Sequence, residues 1–327
     1  MKIALFPYFF SPEGISYGYF THFQSTKKML PLVPMDTADM VLHIAPPHFY
    51  KHQKGKVNVF FTMWEAEDLS PDFYPAIDLA DAVIVPCTHN VRLFSKATKR
   101  PVYLCPEAID TETFAYKKRR WPEPDGHPFR VLWVGSPSER KGWRILSHIW
   151  EWGGFIKRAD MELYIKTTHA TLPNSGDIAQ GDNVIIDNRN LTTQQMVELY
   201  HSAHCLLYPT MGEGWALPCC ESMSTGLPVI VTRYSGPADY CTKKTGYPID
   251  YKLINVDYGI RTKAALVNRN EAIKILNEIV YNYKNAVLKG KNAARFIREN
   301  FTEEIVKKKL LGILKLIKNI QVRLKKE

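Results

Sequence analysis

What most constrains this chain is an alternation that occurs twice: short apolar runs, each followed by a helix-length amphipathic segment. That order marks βαβ units, whose strands lie parallel in one sheet with helices on its faces. In the first half the spacing predicts strands at Lys2–Phe6, Met40–Ile44, Val57–Thr62, Ala82–Pro86 and Val102–Cys105. Helices are expected at about Tyr19–Met29, Pro71–Leu79 and Asn90–Lys96. The stretch Tyr116–Pro128, YKKRRWPEPDGHP, then breaks the pattern with three prolines, a glycine and four consecutive basic residues. It cannot continue a helix or a central strand, and reads as an interdomain linker. Beyond it, strands are predicted at Arg130–Val134, Glu162–Lys166, Asn183–Asp187, His204–Tyr208 and Pro228–Val231. Helices are predicted at Gly142–Trp152, Thr193–Ser202, Pro218–Ser224 and Glu271 to about Lys289. In the amphipathic stretch Thr302–Lys326, Ile305, Leu310, Leu311, Leu314 and Ile317 fall close to one face. The expected class is α/β, with two Rossmann-like, doubly wound parallel-sheet domains facing a central cleft. They would span residues 1–120 and 121–300, and the helix over 301–327 is open to crossing back onto the first domain. Ligands in such folds sit at the carboxyl ends of the strands.

The 327 residues, 45% hydrophobic, suffice for two cores. No run of 18 apolar residues occurs, so no integral membrane segment is expected. The apolar run Met1–Phe10 is too short and poorly flanked for a signal peptide. Six cysteines without a CxxC pair argue against a zinc site or a redox motif and fit reduced thiols in a cytoplasmic protein. The net charge of +10 suits an anionic partner: a nucleotide phosphate, a membrane surface met peripherally, or a nucleic acid. Its basic runs are Lys51–Lys56, Lys117–Arg120, Lys289–Arg298 and Lys307–Lys326, for which solvated helix faces and a linker are the plain reading. HExxH, GxSxG and Walker-type motifs are missing, which argues against a zinc protease, a hydrolase elbow and a P-loop.

Two loops can carry chemistry. In Pro209–Gly226, PTMGEGWALPCCESMSTG, a strand ends in a Gly-rich turn holding Glu213, and a helix opens near Leu217 or Pro218. A helix start after such a turn presents free N–H groups and the positive end of its dipole, a ready anion site. Glu221 lies about one turn inside that helix and could face the same cavity as Glu213. In Val131–Trp143, VLWVGSPSERKGW, Arg140 and Lys141 stand just before a helix start, where cations are unfavourable unless a strongly anionic group is bound. An ordinary strand–turn–helix with solvated charges remains the bland alternative for both loops.

The run GEGWALPCCE closely resembles the E-x7-E motif of the retaining glycosyltransferases of family 4, which have the GT-B fold. SMSTGLPVIVTRYSGPADY continues the likeness, and SERKG is similar to that family's loop for the donor diphosphate. DLADAVIVPCTHNVRLF, VYLCPEAIDTETF and FTMWEAEDLSP resemble parts of its N-terminal domain. The resemblance implies that Glu213 contacts the transferred sugar, and that Gly214, Trp215, Ala216 and Leu217 bring backbone N–H groups to sugar and phosphates. Glu221 would hold the ribose, Arg140 and Lys141 the diphosphate, and the segment with Asn188 the base. Gly135 and Gly14 would lie in the two loops approaching the donor. Trp64 or Glu65 stands where the family often has an acceptor-side histidine, and Ser136 where it often has arginine.

The resemblance thus implies a retaining, metal-independent transfer from a nucleotide-diphosphate sugar to an acceptor hydroxyl, with no cofactor beyond the donor. No D-x-D at a strand end calls for a metal. The acceptor is expected to be a saccharide, a lipid-linked or a small molecule. A modified base in DNA and a non-catalytic nucleotide-sugar-binding scaffold are the alternatives. A cytoplasmic location, peripheral membrane contact included, is expected.

Overall fold

A computed structural model describes residues 1–6, 16–121, 126–167 and 181–324. They form two compact units: Met1–Ala108 with Asp257–Thr262 and Asn300–Glu327, and Ile109–Val256 with Lys263–Glu299.

In the first unit β1 (Ile3–Leu5), β2 (Met40–Ile44), β3 (Val57–Phe61), β4 (Ala82–Val85) and β5 (Val102–Leu104) make a parallel sheet in that order. A bridge from Ile3 to Leu32 extends it beyond β1, so the chain first winds outward through α1 (Ser16–Met29) and then reverses. Leu42, Ile44, Val59 and Phe61 pack towards Tyr19 and Met29 of α1. Phe60, Val83 and Val85 pack against α2 (Tyr74–Leu79) and α3 (Thr88–Ala97). Apolar side chains on both faces are what a parallel sheet covered on both sides requires.

The second unit carries β6 (Phe129–Val134), α4 (Trp143–Trp152), β7 (Met161–Lys166), β8 (Val184–Asp187), α5 (Thr193–Ser202), β9 (Cys205–Tyr208), α6 (Leu217–Ser224), β10 (Val229–Thr232) and β11 (Tyr247–Ile249). The sheet runs β11-β10-β9-β6-β7-β8, all parallel. Strand order reverses between β6 and β9, and loops leaving adjacent strands there diverge and leave a crevice. β12 (Tyr251–Asp257) and β13 (Arg261–Val267) form a two-stranded sheet, and α7 (Arg269–Tyr281) and α8 (Tyr283–Asn300) follow.

The last helix, α9 (Glu303–Leu324), belongs to the first unit, where Val306, Leu310, Leu314 and Ile317 enter the core beside Leu42, Ile44 and Phe61. Ile305, expected on the same face, is exposed.

Three elements differ from the sequence reading. The chain leaves the first unit at Ala108, earlier than 120, and the described part of the expected linker is packed on the second unit. Arg119, read as part of a solvated run, is buried and donates to the carbonyl of Ala203 at 2.6 Å and the Thr225 hydroxyl at 3.1 Å. The single helix expected from Glu271 to Lys289 is two, because Asn282 leaves helical geometry and Tyr283 turns inward to donate to the His204 carbonyl at 2.8 Å. β11, β12 and β13 had no predicted counterpart; β12 is largely exposed and lacks the clean alternation that marks a half-buried strand.

Candidate functional site

The crevice in the second sheet is where the two candidate loops meet. The loop after β6 and the loop after β9 are joined through their backbones: Met211 N–H donates to the Arg140 carbonyl at 2.7 Å, and the Thr210 hydroxyl donates to it at 3.0 Å. Gly142 makes this approach feasible. Its φ is +74°, and a Cβ there would stand 2.0 Å from the Pro209 carbonyl oxygen.

That junction brings three of the sequence candidates together. Lys141 Nζ donates to Glu213 Oε1 and Oε2 at 2.6 and 2.8 Å. Arg140 donates to the Gly212 carbonyl at 2.8 Å, with a nitrogen 3.4 Å from Glu213 Oε2. Two residues outside the sequence reading complete the cluster. The Tyr208 hydroxyl donates to Glu213 Oε1 at 3.0 Å and accepts from Lys141 at 3.1 Å, and Thr210 Oγ1 lies 3.2 Å from the same carboxylate. Glu213 is buried. Burial alone would push its carboxyl up, but the Lys141 and Arg140 charges and the hydrogen bonds from Lys141 and Tyr208 hold it below its ordinary value. It is therefore a fixed anion at neutral pH.

Gly214, Trp215, Ala216 and Leu217 lead from Glu213 into α6. Ala216 precedes the helix with φ +72°. Such strain persists only where surroundings over-determine it, and two contacts do so here. The Tyr240 hydroxyl donates to the Trp215 carbonyl at 2.7 Å, and Ser235, itself at φ +55°, donates from its hydroxyl to the Glu213 carbonyl at 2.8 Å. Gly236 sits so close that a Cβ would stand 2.7 Å from Trp215 Cα. Ala216 and Ser235 are the two non-glycine residues with positive φ among the described residues, and both frame Glu213.

Glu221 is set apart from that cluster. It is partly buried on α6, accepts from the Tyr200 hydroxyl at 2.7 Å, and no hydrogen bond or ion pair joins it to Arg140, Lys141 or Glu213 among the described residues. Burial, opposed only by that hydrogen bond, pushes its carboxyl up to about 7.

Gly135 ends β6, its N–H bonded to the Lys166 carbonyl at 3.0 Å. Asn188 is exposed just beyond β8, three strand spacings or about 14 Å from β9. Gly14 lies outside the described residues. In the first unit Trp64 follows β3, its backbone gripped on both sides by the Asn90 amide and its indole N–H given to the Asp68 carbonyl at 2.7 Å. Its ring packs on Phe73, so Trp64 holds the loop, and Glu65 beside it is partly buried. No group of three His, Cys, Asp or Glu side chains among the described residues is arranged to hold a metal ion.

Residues 128–255, which include every member of the Glu213 cluster, match the profile of the family described as glycosyl transferases group 1. That stretch is thus similar to a group 1 glycosyltransferase domain. No curated protein matches its sequence. Among solved structures, HepE from Anabaena in complex with UDP superposes with a TM-score of 0.69 at 12% identity, covering 96% of this chain and 100% of that one. Sucrose-phosphate synthase from Thermosynechococcus elongatus gives 0.66 at 15% identity, covering 90% and 82%. TarM of S. aureus gives 0.62 at 15% identity over 84% of this chain, which spans 54% of TarM. The fold is thus GT-B, with two parallel α/β sheets. No helix among the described residues is long and apolar enough to cross a membrane.

Proposed function

We propose that the chain transfers a sugar, with retention of anomeric configuration, from a nucleoside-diphosphate donor to an acceptor hydroxyl. The observation that carries this reading is the Arg140–Lys141–Glu213 cluster at the strand-order reversal, beside the amino end of α6.

Glycosyl transfer must stabilise negative charge on the departing diphosphate and positive charge on the sugar ring. Arg140 and Lys141, pinned through their loop to the β9 loop, supply fixed cations for the first task, and the amino end of α6 adds the positive end of its dipole. Glu213 cannot act as a proton donor at neutral pH, because those same cations keep it ionised. It suits hydrogen bonding from sugar hydroxyls and electrostatic support of ring charge. With the leaving phosphate taking the acceptor proton in a front-face attack, no carboxylate nucleophile is required, unlike in retaining glycosidases. Glu221, Asn188 and Gly135 fit the ribose, base and phosphate side of the donor. Gly214 to Leu217 suit the sugar and its phosphate, and Glu65 the acceptor side.

Cations of the protein then replace a metal, so turnover should persist in EDTA. HepE was solved with UDP and with UDP-glucose, so uridine donors come first in the test. Calorimetry with a panel of nucleotide sugars, followed by NMR of the product's anomeric configuration, decides. No heat with any donor, or an inverted product, overturns the reading. A saccharide, lipid-linked or small-molecule acceptor is the first expectation. A DNA base is the second, resting on the charge of +10, and predicts retention on DNA that collapses between about 50 and 200 mM salt.

A further inference from the structure

At the opposite end of the second sheet lies a depression of about 370 Å³ whose lining includes Lys243, Lys244, Lys289, Arg295, Asn285 and Asn292. Its place follows from topology. Lys243 and Lys244 come just before β11, at the amino ends of the parallel strands, whereas Glu213 follows β9 at the carboxyl ends. β9 is four residues long, about 13 Å, so the two sites are separated by the length of the sheet. They share no residue.

The frame of the depression is rigid. The turn Thr242–Gly246 is closed by Gly246 N–H donating to the Thr242 carbonyl at 2.8 Å, by Thr242 N–H donating to the Thr245 hydroxyl at 2.9 Å, and by that hydroxyl donating to the Tyr240 carbonyl at 2.8 Å. Two side chains of α8 tie the helix to this turn: Asn292 donates to the Lys244 carbonyl at 3.3 Å, and Lys289 to the Gly246 carbonyl at 3.3 Å with its ammonium 3.8 Å over the Tyr247 ring. The charges on the frame are unbalanced. Four cations line it against one carboxylate, Glu299. Lys243, Lys244 and Arg295 are exposed and make no ion pair among the described residues. Burial holds the Lys289 ammonium below its ordinary value, the nearby Glu278 carboxylate opposes that, and the Lys243 charge adds to it. At the other end of the sheet, by contrast, Arg140 and Lys141 both lie against Glu213.

We propose that this depression is a second anion site, which takes a phosphate-bearing ligand through Lys243, Lys244, Lys289 and Arg295. Arg295 offers a forked donor pair and the lysines point charges. The Asn285 and Asn292 amides suit polar groups next to the phosphate, and Phe296 and Leu288 give an apolar flank. The same chemistry serves a lipid phosphate headgroup or a soluble phosphate ester. Exposed Lys117, Lys118 and Arg120, near His204 at the amino end of β9, add to the positive field on this side.

The test compares the full chain with a K243S/K244S/R295S variant and with a K27S/K51S/K54S variant, which loses equal charge from exposed lysines of the first unit. One arm measures co-sedimentation with mixed phosphatidylglycerol–phosphatidylcholine vesicles against phosphatidylcholine alone. The other measures calorimetric binding of inorganic pyrophosphate, with each variant made on an R140M/K141M/E213Q background so that the carboxyl-end cations no longer contribute. Thermal unfolding confirms that each variant is folded. The first triple variant should bind at least about tenfold more weakly in one arm or both, with the control unchanged. Loss confined to vesicles assigns a lipid headgroup; loss confined to pyrophosphate assigns a soluble phosphate. If the parent chain binds neither probe, or both triple variants weaken equally, the proposal is overturned.

Discussion

The loop after β9 and the helix that follows it each hold a glutamate, eight positions apart, in opposite electrostatic states. Glu213 is the more buried, yet two cations and a phenol keep it ionised. Among the described residues Glu221 has a phenol as its partner and no cation, and its carboxyl rises to about 7. Burial therefore does not set the charge of a carboxyl by itself; what stands opposite decides. The difference also fits a division of labour, with a permanent anion where charge must be balanced and a neutral-leaning acid where hydroxyls are to be gripped.

The largest effect expected from disturbing this contrast is that of Lys141→Ala. Removing one fixed cation from a transition-state site costs about 10²–10³ in kcat, and it leaves Glu213 buried with Arg140 alone, so a fall in Tm should accompany it. The double variant K141M/E213Q should recover much of that Tm without recovering turnover. Rate and Tm measured on the same preparations check both halves, and wild-type turnover in Lys141→Ala would refute the assignment.

Glu221→Gln sharpens the other side. The folded chain keeps the Glu221 proton up to about pH 7, while the unfolded chain releases it above about pH 4.3. Folding thus binds a proton in that window, and Glu221 costs stability increasingly as pH rises through it. Glutamine removes the cost, so Tm should rise by about 2–4 °C at pH 8 and less at pH 5, whereas donor affinity should fall. A Tm gain independent of pH would contradict the assignment.

Tyr208→Phe removes one donor to Glu213 and one acceptor for Lys141, with an expected loss of about 1 kcal/mol in a denaturant melt. The smallest change belongs to Tyr200→Phe. Its hydroxyl opposes the rise at Glu221, so losing it should move the pH midpoint of the Glu221 effect upward, and a shift downward would assign that hydroxyl the opposite role.

Much of this was legible in the chain. Apolar runs such as Met40–Ile44 and Val57–Phe61 declare buried strands because both faces of a parallel sheet are covered. The loop with Glu213 and the loop with Arg140 and Lys141 were readable because glycine, acid and base at a strand–helix junction are local features. Tyr208, Thr210 and Ser235 were not. Tyr208 and Thr210 join the cluster because the reversal between β6 and β9 brings the Arg140–Lys141 loop to them, and Ser235 because the loop after β10 reaches the Glu213 carbonyl; no local pattern encodes either meeting. Arg119 misled for a related reason: a basic run reads as solvated, while the carbonyl of Ala203 that buries its guanidinium is 84 positions away. The helix break at Asn282 escaped because apolar periodicity runs on across it.

The return of α9 has a consequence for how the protein is made. The face of Leu42, Ile44 and Phe61 waits for Leu310 and Leu314, between 249 and 272 positions later, before its core is filled. On the ribosome the second unit can therefore finish first, and the half synthesised earliest matures last, with an oily surface in need of shelter until then. A premature stop ahead of Glu303 would strand that half, leaving aggregation or proteolysis as its fate even with every residue of the sugar-transfer loops present.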